Sequence, residues 1–194
     1  AVPRGDGNMV LLNGNETGAL LCDYVLRNGR VDGSHYDSTD FIASTIVTTP
    51  LLIDLAIAYG VGHRETLTGF KYIGAAISEE ERNYVVGGEE SYGFLPTDAV
   101  RDKDGNAASI IFCELAASLK KEGRTILEYL DELYLRHGYF LETLGQIVYE
   151  GASGAAKIAR ILASYRSDPP TGFLASKVDR LTDFGIETVT DPDG

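Results

Sequence analysis

Tyr84-Val85-Val86-Gly87-Gly88-Glu89-Glu90-Ser91-Tyr92-Gly93-Phe94 is the stretch around which the chain is organised. A short β-type run, Tyr84 to Val86, empties into two glycines, then two carboxylates and a hydroxyl, then a third glycine. Glycine at a strand exit lets the backbone take positive φ, or approach a ligand with no Cβ in the way. Open α/β sheets take ligands at the carboxyl ends of their strands, where such a loop would lie. Carboxylates and a hydroxyl on one tight loop suit a partner rich in hydroxyl groups, as a sugar is. The same residue types also make an ordinary solvated turn that only caps its own backbone.

Upstream, Phe41-Ile42-Ala43-Ser44-Thr45-Ile46-Val47 is a β-branched run that predicts a buried strand. Thr48-Thr49-Pro50 starts a helix, Leu51 to Tyr59 fills it and Gly60 ends it. Arg64 to Leu67 predicts a short strand, and Thr68-Gly69 turns into a helix over Phe70 to Ile77. Strand, helix, strand, helix, strand with short links is the pattern of βαβ units in a largely parallel sheet. Residues 1–12 predict two short strands around Gly5-Asp6-Gly7. Asn13 or Asn15 then caps an apolar helix, Ala19 to Arg27.

Downstream, Arg101 to Asn106 opens a helix over Ala107 to Lys121, Gly123 breaks it, and Thr125 begins another, Ile126 to Arg136. There Ile126, Leu127, Leu130, Leu133 and Tyr134 share a face that reads as core. The expected fold class is α/β: a three-layer α/β/α domain with a mostly parallel sheet over residues 1–138. From Tyr139 to Tyr149 the pattern becomes a long β-rich segment, followed by a helix over Ala152 to Tyr165 and a stop at Asp168-Pro169-Pro170. Lys177 to Leu181 and Ile186 to Val189 predict short strands. Residues 139–194 therefore read as a linker strand and part of an α+β domain. The chain opens at Ala1 in what reads as the tail of a strand and is expected to be a piece of a longer protein.

Composition narrows the function classes. With 44% hydrophobic residues in 194 there is material for a real core. Seventeen basic against 29 acidic residues, a net charge of −12, with no basic cluster, argue against nucleic acid as a partner. No apolar run reaches the roughly 18 residues that span a bilayer, so no membrane partner is expected. Cys22 and Cys113 both lie in apolar helical runs and read as buried thiols of a cytoplasmic protein. His35, His63 and His137 are scattered without metal-ligand spacing. Thr190-Asp191-Pro192-Asp193-Gly194 spells the start of an acidic metal loop, but two carboxylates hold Mg²⁺ poorly and the sequence makes a good β-turn.

Four segments, in order, carry a resemblance to the α-D-phosphohexomutases, the phosphoglucomutase and phosphomannomutase superfamily. Gly88-Glu89-Glu90-Ser91 is similar to the sugar-binding G-E-x-S signature of that family's third domain, and its continuation Tyr92-Gly93-Phe94 resembles the phosphoglucomutase-like branch. Thr68-Gly69-Phe70-Lys71 resembles the family's T-G loop with its ligand-facing lysine. Lys103-Asp104-Gly105 resembles the K-D-G that opens a later helix. Gly14-Asn15-Glu16-Thr17-Gly18-Ala19-Leu20-Leu21 resembles the start of the third domain's first helix. The likeness covers about residues 1–165.

The resemblance implies a parent enzyme of four domains around one cleft, interconverting hexose 1-phosphate and 6-phosphate, glucose foremost. It implies that a phosphoserine, a D-x-D-x-D loop holding Mg²⁺ and an R-x-S-G-T phosphate loop belong to other domains of that parent. The piece alone would then be inactive. The expected substrate-binding residues are Thr68, Gly69, Lys71, Gly88, Glu89, Glu90 and Ser91, with a phosphorylated hexose and the parent's other domains as partners. A mutase must hold one sugar in two flipped poses. Glu89 would accept from two vicinal hydroxyls and Ser91 would donate or accept as the pose demands. Arg64, Arg101 and Lys103 are further candidates for the cleft. The alternative is a free-standing carbohydrate-binding or scaffolding module without catalysis, and a nucleotide-binding domain lacks any G-x-G-x-x-G or Walker pattern.

Overall fold

The computed structural model describes residues 1–185 and 188–190. It divides into two compact units, Ala1–Glu142 and Thr143–Gly194.

In the first unit a hairpin of β1 (Val2–Pro3) and β2 (Met9–Val10) leads into α1 (Gly14–Asn28). Asn13 caps α1: its side chain accepts from the Glu16 N–H, and the Glu16 side chain accepts from the Asn13 N–H. That reciprocal cap starts the helix ahead of the apolar run that announces it. There follow β3 (Asp40–Thr45), α2 (Leu51–Tyr59), β4 (Gly62–Thr66), α3 (Phe70–Glu79), β5 (Asn83–Glu89), β6 (Gly93–Leu95), α4 (Gly105–Lys121) and α5 (Ile126–His137). Pro50 stands just before α2, the Thr49 hydroxyl accepts from the Leu51 N–H at 3.3 Å, and Gly60 ends the helix in the left-handed conformation. Thr125 and Glu128 form a second reciprocal cap on α5.

The sheet runs β4-β3-β5-β6, with β4 and β5 parallel to β3 and β6 antiparallel to β5. Its two faces carry different cores. Ile42, Val85 and Val86 join Leu20, Leu26, Leu51, Leu55 and Leu133 from α1, α2 and α5 on one face. Phe41, Ala43 and Leu95 join Phe70, Ile73 and Ile77 of α3 on the other. This is the three-layer α/β/α arrangement that the sequence predicts.

An irregularity in β5 decides where Glu89 points. Phe41 pairs with Tyr84 but Ala43 pairs with Gly87, so β5 carries one extra residue opposite β3. Val85 and Val86 consequently enter the same core, and the alternation of side chains inverts beyond them. In an uninterrupted strand Glu89 would share the face of Val85. The bulge turns it to the opposite face, toward α3.

The glycines of β5 differ from expectation. Gly87 and Gly88 lie within the strand and not in a turn, pairing with Ala43 and Ser44. A Cβ on Gly87 would overlap the Ala43 carbonyl, and one on Gly88 the Gly93 carbonyl and the Phe94 ring, so close packing demands glycine here. The loop proper is Glu90 to Tyr92, between the paired residues Glu89 and Gly93.

A carboxylate sits beneath the helices. Asp23, fully buried, accepts from the hydroxyls of Tyr59 (2.9 Å) and Tyr129, with the Arg136 guanidinium 3.5 Å away. It ties α1, α2 and α5 together. Burial and the adjacent Asp23 charge raise the Tyr59 phenol to about 12 and push Tyr129 up further, so both remain donors. Tyr129 is buried alongside Ile126, Leu130 and Leu133, although the apolar stripe did not include it.

Two readings need correction in this unit and its margin. Cys113 is exposed while Cys22 is buried. Helix α4 buries Ala108, Leu115 and Leu119, and position 113 faces away from that row. Residues 139–150 form no strand. A β-rich segment becomes a strand only where a neighbour accepts its backbone pairing.

The second unit holds α6 (Gly151–Ser167), the hairpin β7 (Gly172–Phe173) with β8 (Ser176–Lys177), and the antiparallel pair β9 (Leu181–Asp183) and β10 (Thr188–Thr190). The strand predicted over 177–181 is thus split between two hairpins. Arg166 of α6 pairs with Asp183 at 2.5 Å. Ile186 and the Asp191-Pro192-Asp193-Gly194 turn lie outside the described residues. None of the described helices is long and apolar enough to cross a membrane.

Candidate functional site

After β3 the chain moves to one neighbour, β4, and then to the other, β5. The carboxyl ends of β3 and β5 therefore flank a topological switch point, where open α/β sheets leave a crevice. Thr45 ends β3 and Glu89 ends β5. The loop Glu90–Tyr92, the Thr66–Gly69 link into α3 and the Ile46–Pro50 link into α2 all gather at that edge.

Glu89 sits at the convergence. Its residue is 3% exposed. One carboxylate oxygen accepts from the Gly69 N–H at 2.7 Å, and the other meets the Lys103 ammonium at 3.2 Å. Gly69 precedes the first turn of α3 with φ 122°, so its N–H belongs to the electropositive end of that helix. Lys103 reaches in from the segment ahead of α4, and its side chain is half exposed. A Cβ on Gly93 would come within 3.3 Å of the Lys103 stem and ammonium and 3.2 Å of Glu89, so the glycine leaves the lane open.

The other predicted residues lie around this centre. Gly88 is the buried strand position before Glu89. Glu90 is half-buried and accepts from the Thr45 hydroxyl at 3.4 Å, across the switch point. Ser91 is exposed at the loop tip. Thr68 is exposed beside Gly69, and Lys71, exposed in the first turn of α3, stacks its ammonium over Tyr72 with 4.8 Å to the ring centre. Arg64 lies on β4 and is exposed; Arg101 is exposed in the segment leading to Lys103.

Two contributors, the Thr45–Thr48 pair and Asn15, were not legible as such, while Lys103 was a candidate without a stated partner. Thr45 and Thr48 share a hydroxyl–hydroxyl bond of 2.8 Å at the end of β3. Asn15 accepts from the Thr49 N–H at 3.0 Å, tying the start of α1 to the β3–α2 link. Lys103 was visible only through its K-D-G context, since a lysine ahead of a helix carries no sign of its inward partner. Below the edge, the Ser44 hydroxyl and His63 Nε2 share a 2.8 Å hydrogen bond, and burial lowers the imidazole to about 4. Among the described residues no three His, Cys, Asp or Glu side chains converge to hold a metal ion.

The family model for the phosphoglucomutase/phosphomannomutase α/β/α domain III matches residues 13–137, well over half of the chain. The chain belongs to the phosphoglucomutase/phosphomannomutase family. It is 37% identical over 188 residues to a phosphoglucomutase of Staphylococcus epidermidis, an alignment of 96% of this chain and 34% of that one. A Haemophilus influenzae protein named "Probable phosphomannomutase" is 34% identical over 184 residues, covering 94% of this chain and 35% of its own. The open form of parafusin, a phosphoglucomutase from Paramecium, shares the fold: TM-score 0.60 at 20% identity, over 95% of this chain and 32% of that one. The chain thus spans about a third of the length of the curated relatives it matches. The relatives are enzymes, and the matched domain is the part of a phosphohexomutase that holds Gly69, Glu89 and Lys103.

Proposed function

We propose that this chain is the sugar-recognition portion of a cytoplasmic phosphohexomutase that interconverts the 1- and 6-phosphates of a hexose, with glucose as the preferred sugar. The observation that carries the reading is the meeting of three separate segments on one carboxylate, Gly69, Lys103 and Glu89, at the switch point of the sheet. The name of the Staphylococcus epidermidis relative supports glucose as the hexose.

The site would work by position and charge. Glu89 holds the link before α3 and the Lys103 ammonium, and buried as it is it would meet a sugar hydroxyl only by giving up one of these two partners. Ser91, Glu90 and Thr68 stand at the rim as donors and acceptors for a hydroxyl-rich ligand. Lys103, Lys71 and the amino end of α3 add positive potential to a chain of net charge −12, which an anionic phosphosugar needs. The phosphoserine, Mg²⁺ and the phosphate clamp would come from other domains of the parent, and the chain alone would not turn over substrate.

The test is kinetic, in the full-length enzyme carrying this segment. Ser91→Ala and Glu89→Gln should each lower kcat/KM for glucose 1-phosphate by about tenfold or more, the loss of a charged or multiple hydrogen bond. Wild-type kinetics in either variant would end the reading. A higher kcat/KM for mannose 1-phosphate would reassign the hexose.

A further inference from the structure

The loop that presents Ser91 is held in a conformation its own sequence resists. Tyr92 has φ 63°, the left-handed region that a bulky residue adopts only when its surroundings impose it. Glycine would take that position at the end of a three-residue hairpin loop without strain. The surroundings that impose it are visible. The Tyr92 hydroxyl donates to the Leu12 carbonyl at 2.7 Å, 80 residues away in sequence. Two residues beyond, Gly14 lies directly under the loop: a Cβ there would overlap the Glu90 carbonyl and approach the Tyr92 nitrogen to 3.1 Å. The same short turn at the start of α1 carries Asn15, whose side chain holds the Thr49 N–H at 3.0 Å. Leu12 to Asn15 is thus a fixed base that grips the Glu90–Tyr92 loop on one side and the β3–α2 link on the other.

We infer that Tyr92 is a positioning residue for sugar recognition: its tether to Leu12 locks the loop so that Ser91 stands ready at the switch-point edge before substrate arrives. The inference rests on the sugar-loop reading of this site. A sugar that must be bound in two poses gains from a rim that is already ordered, because the ordering entropy is then not charged against either pose. Tyr92 itself need not touch the sugar; it acts through Ser91.

The experiment is a double-mutant cycle in the full-length enzyme, with Ser91→Ala, Tyr92→Phe and the pair, using glucose 1-phosphate and recording thermal unfolding of each. Tyr92→Phe keeps the ring and removes only the tether. The expected result is a KM raised about five- to tenfold in Tyr92→Phe, in line with one lost hydrogen bond, with kcat within about twofold. In the Ser91→Ala background the same change should add almost nothing, since the group being positioned is gone. Tyr92→Asn suits the left-handed backbone but falls short of Leu12, and should raise KM like Tyr92→Phe. It also serves as the reporter if the phenylalanine variant does not fold.

Wild-type KM in both Tyr92 variants, losses that multiply in full in the double variant, or a fall in unfolding temperature with untouched kinetics would each overturn the inference and leave the sugar-loop reading in place. Wild-type kinetics in Ser91→Ala would remove the sugar-loop reading itself, and this inference with it.

Discussion

Glu89 and Lys103 face each other at 3.2 Å, the carboxylate almost wholly buried and the lysine side chain half in solvent. The pair is asymmetric: water still screens the ammonium, while the carboxylate depends on its two protein donors. Removing the carboxylate should therefore do more harm than removing the lysine. We expect Glu89→Ala to lower stability by about 1–3 kcal/mol, because the half-buried Gly69 N–H and the lysine both lose their acceptor. Lys103→Ala should lower it by no more than about 1 kcal/mol. Urea unfolding of the purified chain and its variants checks the order, and equal losses would contradict it.

The bulge in β5 yields a sharper test. Deleting Val86 would only remove the extra residue and leave Glu89 on the α3 face. Inserting one alanine between Gly88 and Glu89, beyond the pairs with Ala43 and Ser44, would instead turn Glu89 away from α3. The insertion variant should lose hexose-phosphate turnover in the full-length enzyme entirely, while Val86→Ala, which keeps the count, should retain most of it. Full activity in the insertion variant would show that the register is not what aims Glu89.

Gly14 is predicted to be intolerant. Gly14→Ala drives a methyl into the Glu90 carbonyl, and overpacking of this kind costs about 1–3 kcal/mol. Gly105, in the first turn of α4, has open space at its Cβ, so Gly105→Ala should be neutral or better. Melting temperatures of the two variants should separate clearly.

The Asp23 cluster predicts a purely structural loss. Tyr129→Phe takes a donor from a fully buried carboxylate and should destabilise the chain by about 1–3 kcal/mol. It should leave the KM of the full-length enzyme unchanged. A changed KM would mean that the helical layer communicates with the crevice.

His63 predicts a direction with pH. Its native imidazole titrates near 4 against an ordinary value of 6.5, so between those values the unfolded chain binds the proton and the folded chain does not. Stability from this residue is therefore present above about pH 6.5 and is lost progressively as pH falls toward 4. His63→Gln should flatten the fall in urea midpoint across that window, and an unchanged slope would assign the acid lability elsewhere.

Much of this was readable from the chain alone, wherever the cause is local. The caps at Asn13 and Thr125, Pro50 ahead of α2 and Gly60 after it act within one helical turn, so their residue types suffice. Alternating strand and helix patterns likewise imply a parallel sheet, and the order of the T-G, G-E-x-S and K-D-G segments implies the family. Even so, Cys113 was misplaced, because a helix with apolar residues on several sides conceals which of them meets the sheet. The segment 139–150 was misread for a similar reason, since β propensity without a pairing neighbour makes no strand.

What tertiary structure alone decided is where the site's side chains point. The extra residue in β5 exists only as a mismatch with β3, far earlier in the chain, and it is this mismatch that turns Glu89 toward Gly69 and Lys103. Tyr92 takes its left-handed backbone because Leu12 holds it there. Caps and periodicities are properties of neighbours along the chain; register and tethering are properties of neighbours in space, and a linear reading has no access to them until the sheet has closed.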